Sequence, residues 1–563
     1  MEKRVLLAIV LSFIVLILFQ VIFNKTKPVT ETPPESIGEA EKRPEQLPFV
    51  EETPEAARKV QEKEQPTEEI ISHVISSQTE EDILVDTSLY QAVWSNRGAV
   101  LKSWRLKKHK DENKEDLELV SRLAPEVNIF PFSLRTDDSS FDSQVNAALY
   151  QASVFSLGLE EGRAGELRFQ FADDRGNRVE KILVFQDGKY DFDVQINVWK
   201  SGQKIEPNII WGPGFGNPTP DDTKRRLVAG GSGMDIYPPQ KDSRLNEQKY
   251  KPMQKWRDLA SKNKNVFYFI QWAAYENNYF AAIFLTPYQK SSVAFLAEGP
   301  EENPYFFLSM TPPQKVFIGP KEYDTLVEFG NETKRLVRFG MFGFISEILL
   351  KASKYFYGLL GNWGLAIILI TFVIKILFFP LTYSSMRSMA KMQELQPKIK
   401  SIRARYKKSK SDIAQRRRMN EEVMKLYKEQ GVNPAGGCLP MLIQIPVFFG
   451  FFRLLMVAIE FRQSPFLLWI TDLSAKDPFY VTPILMGVTQ FISQKMTPTS
   501  ADPTQARMML LMPVIFTILF ISFPSGLVLY WLTNNILQIG QQYIINRLRE
   551  KEKSKTHGKR RKK

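Results

Sequence analysis

A lysine stands where an apolar run would normally exclude it. Residues 363–382, WGLAIILITFVIKILFFPLT, hold Lys375 as their one charge. If the run is a helix, that charge lies roughly 4 Å from its middle. A charge so deep in a bilayer costs about 2.5–3.5 kcal/mol on insertion scales, so it calls for water or polar company. Thr371 lies one turn away on the same face. Gln444 brings a polar group into the next apolar run, and Tyr530, Thr533, Asn534, Gln538 and Gln541 fall near one stripe of the last. The chemistry on offer is that of a wet pocket shared by several helices, with one ammonium to attract acidic groups on a passing chain. Three readings are open: a snorkelling lysine with polar contacts between helices, a polytopic solute transporter with an intramembrane Lys site, and a cavity that receives polar segments of another protein. Transport is the weaker of the last two, because no acidic residue lies inside the runs and no internal repeat appears. Glu460 sits at the end of a run, and Arg453, toward the same end, reads as a snorkelling boundary residue.

Other chemistries lack their residues. One cysteine, Cys438, cannot form a disulfide within the chain. His73, His109 and His557 are the three histidines, too far apart in sequence for a zinc motif and outside any nucleophile motif. There is no phosphate-binding loop and no dinucleotide fingerprint. The sequence is read as a non-enzyme with no cofactor and no metal.

The elements that must hold the lysine are legible from composition. The 563 residues carry a formal charge of +13, divided into about +20 over residues 341–563 and about −7 over residues 1–340. Residues 5–23 form an apolar run of about 28 Å as a helix, which favours an N-terminal transmembrane anchor (1–23) over a cleaved signal peptide, since no small-residue cleavage site follows. Residues 24–82, rich in Pro and Glu and poor in aromatics, read as a flexible tether. Residues 83–340 show short alternating runs such as Glu180-Lys-Ile-Leu-Val-Phe185 broken by Gly, Asn and Asp, the pattern of a large β-sandwich domain. Within it, Trp211-Gly-Pro-Gly-Phe-Gly216 is either a binding loop or, the favoured reading, a tight structural turn. Residues 341–358 carry Glu347, Lys351 and Lys354 at helical spacing and read as an interfacial amphipathic helix, with packing on the β domain as the competing reading.

Residues 359–546 form a polytopic α-helical region with five candidate spans, at 363–382, 438–459, 479–494, 508–523 and 526–546. The third is the weakest, because Gln490, Ser493 and Gln494 dilute it. With the anchor, six spans place both termini on one side. Residues 383–433 hold about fourteen Lys/Arg against five Asp/Glu, and the tail 547–563 about ten against two. The positive-inside rule then puts both in the cytoplasm and the β domain in the periplasm. Inside 383–433, Met389, Met392, Leu395, Ile399, Ile402 and Tyr406 make one helical stripe, and Val423, Met424 and Tyr427 belong to a second helix capped by Ser411 or Asp412. This helical hairpin either binds anionic lipids or ribosomal RNA, or is a solvated face that sets topology.

Several segments resemble the YidC/Oxa/Alb family of membrane protein insertases, in the layout of its Gram-negative members. They are Phe378-Phe-Pro-Leu-Thr382, Met389-Ala-Lys-Met392, Leu395-Gln-Pro-Lys398, Asn433-Pro-Ala-Gly-Gly-Cys-Leu-Pro440, Leu442-Ile-Gln-Ile-Pro446, Leu485-Met-Gly-Val488 and Phe523-Pro-Ser-Gly-Leu-Val-Leu-Tyr-Trp531. The resemblance covers residues 341–546 in order and spacing. It implies five core helices around a hydrophilic groove open to the cytoplasm and lipid, and a periplasmic β-supersandwich. It implies insertion, folding and assembly of nascent inner-membrane proteins, alone or with the Sec translocon. Ribosome, targeting receptor and anionic lipids would meet the basic hairpin and tail; DNA is not an expected partner. The family's groove cation falls on Lys375, where many relatives have Arg, and further groove positions fall on Thr371 and on Trp531, where relatives often have Tyr.

Overall fold

The computed structural model describes residues 74–216, 233–237, 251–252, 266–287, 290–299, 305–406, 412–432, 439–496 and 503–560. The expected anchor, most of the tether, the Asn433-to-Cys438 part of the motif and the last three residues of the basic tail lie outside these.

Among the described residues, three sheets build the front half. One has five strands, ordered Asp116–Glu118, Val100–Lys110, Tyr90–Ser95, Asp82–Asp86, Ser156–Gly158. A ten-stranded sheet runs through Ala164–Ala172, Arg178–Gln186, Asp191–Lys200, Lys315–Pro320, Phe280–Leu285 and Trp272–Glu276. A third of five strands includes Asn208–Trp211, Tyr305–Met310 and Ser292–Glu298. Aromatic side chains join the layers. Trp94 of the first sheet meets Phe169, Phe185 and Phe192 of the second, with ring centroids 6.4–6.5 Å apart. Trp211 of the third meets Phe284 of the second at 5.4 Å. Alternation along each strand sends these rings inward, and burying so much aromatic surface is what gives the sandwich its core.

One expectation about this half changes, and the favoured structural reading of the Trp211–Gly216 turn gains a physical basis. The tether was placed up to residue 82, but Ile75 already pairs with Ala172 and Ser77 N donates to Leu149 O at 3.0 Å. Paired backbone groups hold residues 75–82 on the sandwich despite their polar composition. The Trp211–Gly216 segment folds back on the domain: Gly214 N donates to Phe306 O and Gly216 N to Leu119 O. At Gly212, φ is +138° and a Cβ would stand 2.8 Å from Phe306 O, so the glycine is required by close approach.

The back half contains nine α-helices among the described residues: α1 (Gly343–Leu360), α2 (Trp363–Leu377), α3 (Phe379–Glu394), α4 (Gln396–Arg405), α5 (Ile413–Glu429), α6 (Leu439–Val457), α7 (Val481–Met496), α8 (Pro503–Phe520) and α9 (Ser525–Arg560). Asn362 caps α2 by accepting from Leu365 N. The run expected to continue to Thr382 breaks at Phe378, because Pro380, near the start of α3, has no N–H to carry a helical ladder forward. Pro397 breaks the expected single stripe of the hairpin in the same way, between α3 and α4. Asp412 caps α5, its carboxylate accepting from Ala414 N and Gln415 N. In the hairpin Leu395 and Ile399 are buried against Val423, Leu426 and Tyr427, while Met424 turns outward. The last helix does not stop near residue 546 but continues to Arg560.

Among the described residues no single helix is long and apolar enough by itself to cross a membrane. The pair Gly340–Leu360 and Trp363–Leu377 passes that test together, bent by 120°. One reason is that α2 has only 15 residues. Another is that α7 and α9 carry amides in their apolar stretches, the same groups that build the site below.

Both readings of residues 341–358 have a physical basis. Ser346, Leu349, Leu350 and Ser353 of α1 are buried, and Ser346 Oγ donates to Gly450 O of α6 at 3.0 Å. Lys354 reaches Asp324 of the β domain at 2.7 Å and Glu460 after α6 at 2.9 Å. Met341, Phe344, Ile348, Tyr355 and Leu359 remain exposed. Arg453 differs from its expected snorkelling: its guanidinium turns inward and Nη2 donates to Arg338 O, in the segment that leads out of the β domain.

Candidate functional site

Helix α9 is the spine of the site. Its polar residues face three other helices at successive levels. At one level Lys375 of α2 is buried, and its Nζ donates to Gln538 Oε1 at 3.1 Å. Gln541 Nε2 donates to the main-chain carbonyl of Lys375 at 3.3 Å. That carbonyl lies in the last turn of α2, where intrahelical partners run out, so the amide does the work of a cap. Gln541 Oε1 is buried without a partner among the described residues. One level further along, Gln444 Nε2 of α6 donates to Asn534 Oδ1 at 2.6 Å. At the third level Trp531 Nε1 donates to Gln490 Oε1 of α7 at 3.1 Å. Asn535, beside it, donates to Met486 O of α7.

The structure therefore brings Lys375, Gln538, Gln444, Asn534 and Trp531 onto one polar seam. Thr371 is on the expected face and buried, but its hydroxyl donates to Ile367 O at 2.7 Å and so serves its own helix. Tyr530 is buried, stacks on Phe451 with centroids 4.5 Å apart, and hydrogen-bonds through its side chain with Gln444, which ties it to the seam at the Asn534 level. Thr533 is half-buried and adds no side-chain hydrogen bond to the seam among the described residues. Asn535 and Gln490 belong to the seam and were not among the expected residues. Gln490 had a signal, since its polarity diluted the third span; that polarity is the partner of Trp531.

The seam has a dry end and a wetter end. Toward the β domain, Phe451, Leu454, Leu455, Leu527 and Val528 are fully buried. This end is the β-domain side because Asn278 Nδ2 donates to Met456 O at 2.9 Å. Away from it Gln444, Trp531, Thr533 and Gln538 are half-buried, so these polar groups keep partial exposure. Elsewhere, a cavity of about 600 Å³ on the β domain is lined by Arg135, Asp138, Lys200 and Glu206. Most of its charges are paired, Lys200 with Asp138 at 2.7 Å, Glu206 with Lys290 at 3.1 Å and Arg135 with Glu298.

This combination of a β-rich domain and a helical half with a polar seam defines a class, and similarity to known proteins narrows it. Residues 82–352 match the family described as YidC periplasmic domain, and residues 355–553 the family described as 60Kd inner membrane protein. The chain is 37% identical over 572 residues to the membrane protein insertase YidC of Syntrophus aciditrophicus, covering 97% of this chain and 100% of that protein. It is 37% identical over 564 residues to the same-named protein of Citrifermentans bemidjiense, covering 97% and 99%. A crystal structure of an active YidC insertase aligns over 84% of this chain and 95% of its own, at 19% identity and a TM-score of 0.36. The chain belongs to the YidC family of membrane protein insertases.

Proposed function

We propose that this chain inserts nascent proteins into the inner membrane by lending their hydrophilic segments the polar seam along α9. The observation that carries this is the state of Lys375: buried, with one acceptor among the described residues, at the wetter end of a seam that is dry toward the β domain. A short polar segment of a client enters from the end away from the β domain. Its desolvation cost falls because amides, an indole N–H and an ammonium replace part of its water. An acidic segment gains further from the ammonium. The client's apolar helix meanwhile passes into lipid, where hydrophobic transfer and, for acidic segments, the membrane potential favour release to the periplasmic side.

In this reading the termini and the hairpin α3–α5 face the cytoplasm and the β domain the periplasm, following the charge of the connections. The basic hairpin and tail recruit ribosomes, the targeting receptor and anionic lipids through salt-sensitive contacts, and the Sec translocon is a working partner. No covalent step is assigned to the chain. Solute transport, the other reading of an intramembrane lysine, has no support among the relatives. Reconstitution into liposomes tests the proposal: a small client added to these vesicles becomes protected from external protease. Protection no greater than in protein-free liposomes contradicts it.

A further inference from the structure

The connection between α6 and α7, residues 461–480, holds large apolar side chains away from the protein. Leu468 is 87% exposed, Phe479 66% and Leu467 55%. These exposures are not those of a slack loop. Phe466 N donates to Ile470 O at 2.9 Å and Ile470 N to Leu467 O at 3.1 Å, closing a turn with Leu468 at its tip. Asn362 Nδ2 of the α2 cap holds Phe466 O at 3.0 Å. The carboxylate of Asp477, itself buried, accepts from Trp469 Nε1, Phe479 N, Thr482 N and Thr482 Oγ1. The two apolar tips are thus fixed from below by one buried acid.

Leu468 is also in the wrong conformation for its type. Its φ is +54°, in the left-handed region where Gly or Asn is at ease and a branched apolar side chain is not. A turn chosen for the turn's sake would carry one of those residues. Leucine there is explained by what lies outside it. Position supplies the rest. The same connection touches the β domain, where Arg462 Nη2 and Gln463 Nε2 both donate to Lys110 O. Phe479 leads directly into the outward face of α7, where Ile484, Leu485, Val488 and Ile492 are exposed in helical register. In a membrane protein that face is lipid-facing, so the tips continue the lipid surface at its β-domain end. Exposed Lys476 between them suits the headgroup level.

We propose that Leu467, Leu468 and Phe479 insert into the acyl region of the leaflet on the β-domain side, as a rigid finger that fixes the depth of α7. This goes beyond the reading of the polar seam and does not depend on it. The test is made in the full-length protein carrying Cys438→Ser, with Leu468→Cys bearing an environment-sensitive fluorophore, in phosphatidylethanolamine/phosphatidylglycerol vesicles. Asp174→Cys, at an exposed β-domain turn, serves as the aqueous control. The expected result is a blue-shifted emission, strong quenching by lipids with a spin label at a shallow acyl position, and quenching by aqueous iodide several-fold weaker than at position 174. Iodide quenching equal to that at position 174 overturns the proposal. So does shielding from both quenchers, which means that protein, such as a second copy, covers the tip. Phe479→Cys reads the same outcomes should Leu468→Cys not fold.

Discussion

Among the described residues, two lysines are buried without an ion pair to an acid, one in each half, and their surroundings differ in kind. In the β domain Lys181 donates to Gly98 O at 2.8 Å, Ala99 O at 3.0 Å and Phe132 O at 2.8 Å. All three donors of the ammonium are matched, and the side chain acts as a tie between strand Arg178–Gln186 and two loops. Burial pushes its pKa down to about 7, and the three carbonyls, which only the three-donor form can satisfy together, pull the other way. In the helical half Lys375 donates to one amide oxygen among the described residues, and its two other donors are the ones proposed to meet water or a client. A saturated buried cation is architecture. An unsaturated one, in a polar seam shared by several helices, is the group we propose for binding.

The largest expected effect tests the first half of that contrast. Lys181→Met leaves three buried carbonyls unpaired and should destabilise the β domain by about 3 kcal/mol or more, read by denaturant unfolding followed through tryptophan fluorescence. Unchanged stability would place Lys181 with the open kind. Lys375→Ala tests the second half. It should leave unfolding within about 1 kcal/mol of the parent while lowering insertion of clients with acidic translocated segments roughly tenfold, and Lys375→Arg should retain activity. Comparable activity of the Ala and Arg variants in a depletion strain would argue that the charge is not used. Gln538→Leu removes the amide oxygen that accepts from the Lys375 ammonium and should lower insertion of the same clients by a smaller factor, about threefold.

The smallest effect concerns the contact between the first two sheets, beside Arg462 of the helical half. His109, edge-on to Phe280 at 5.3 Å, is pushed down to about 4 by burial, then by Arg462 and Lys108. The unfolded chain, with its histidine near the usual 6.5, takes up the proton first. The stability this site contributes is therefore present above about 6.5 and is lost as pH falls toward 4. Protection factors for amide exchange in strand Phe280–Leu285, which correct for the intrinsic pH dependence of exchange, should fall as pH is lowered from 7 to 5, and His109→Phe should flatten the fall.

The difference between the lysines was only half legible in the sequence. Lys375 announces itself because an apolar run has no other charge. Gln538 and Asn534 follow from the stripe of α9, whose polar positions recur on one face. Lys181 is hidden in plain alternation: it shares the inward face with Val179, Leu183 and Phe185, but a lysine in a strand is ordinarily assigned to solvent. Thr371 lies on the right face, yet a hydroxyl in a helix has a carbonyl of its own within reach, and the sequence cannot choose between the two. The break at Phe378 was masked by continuous apolarity, since hydropathy counts side chains and the break is a backbone event at Pro380.

The central claim is that the ammonium of Lys375 occupies a water-reachable pocket. In a Cys438→Ser background, the rates at which Lys375→Cys and Phe372→Cys react with a membrane-impermeant thiol reagent, applied in inverted membrane vesicles, measure this directly. Phe372 lies one turn earlier on α2 and is exposed on its outer face. Rapid modification is expected at 375 and little at 372. A cysteine at 375 that reacts no faster than one at 372 would contradict it.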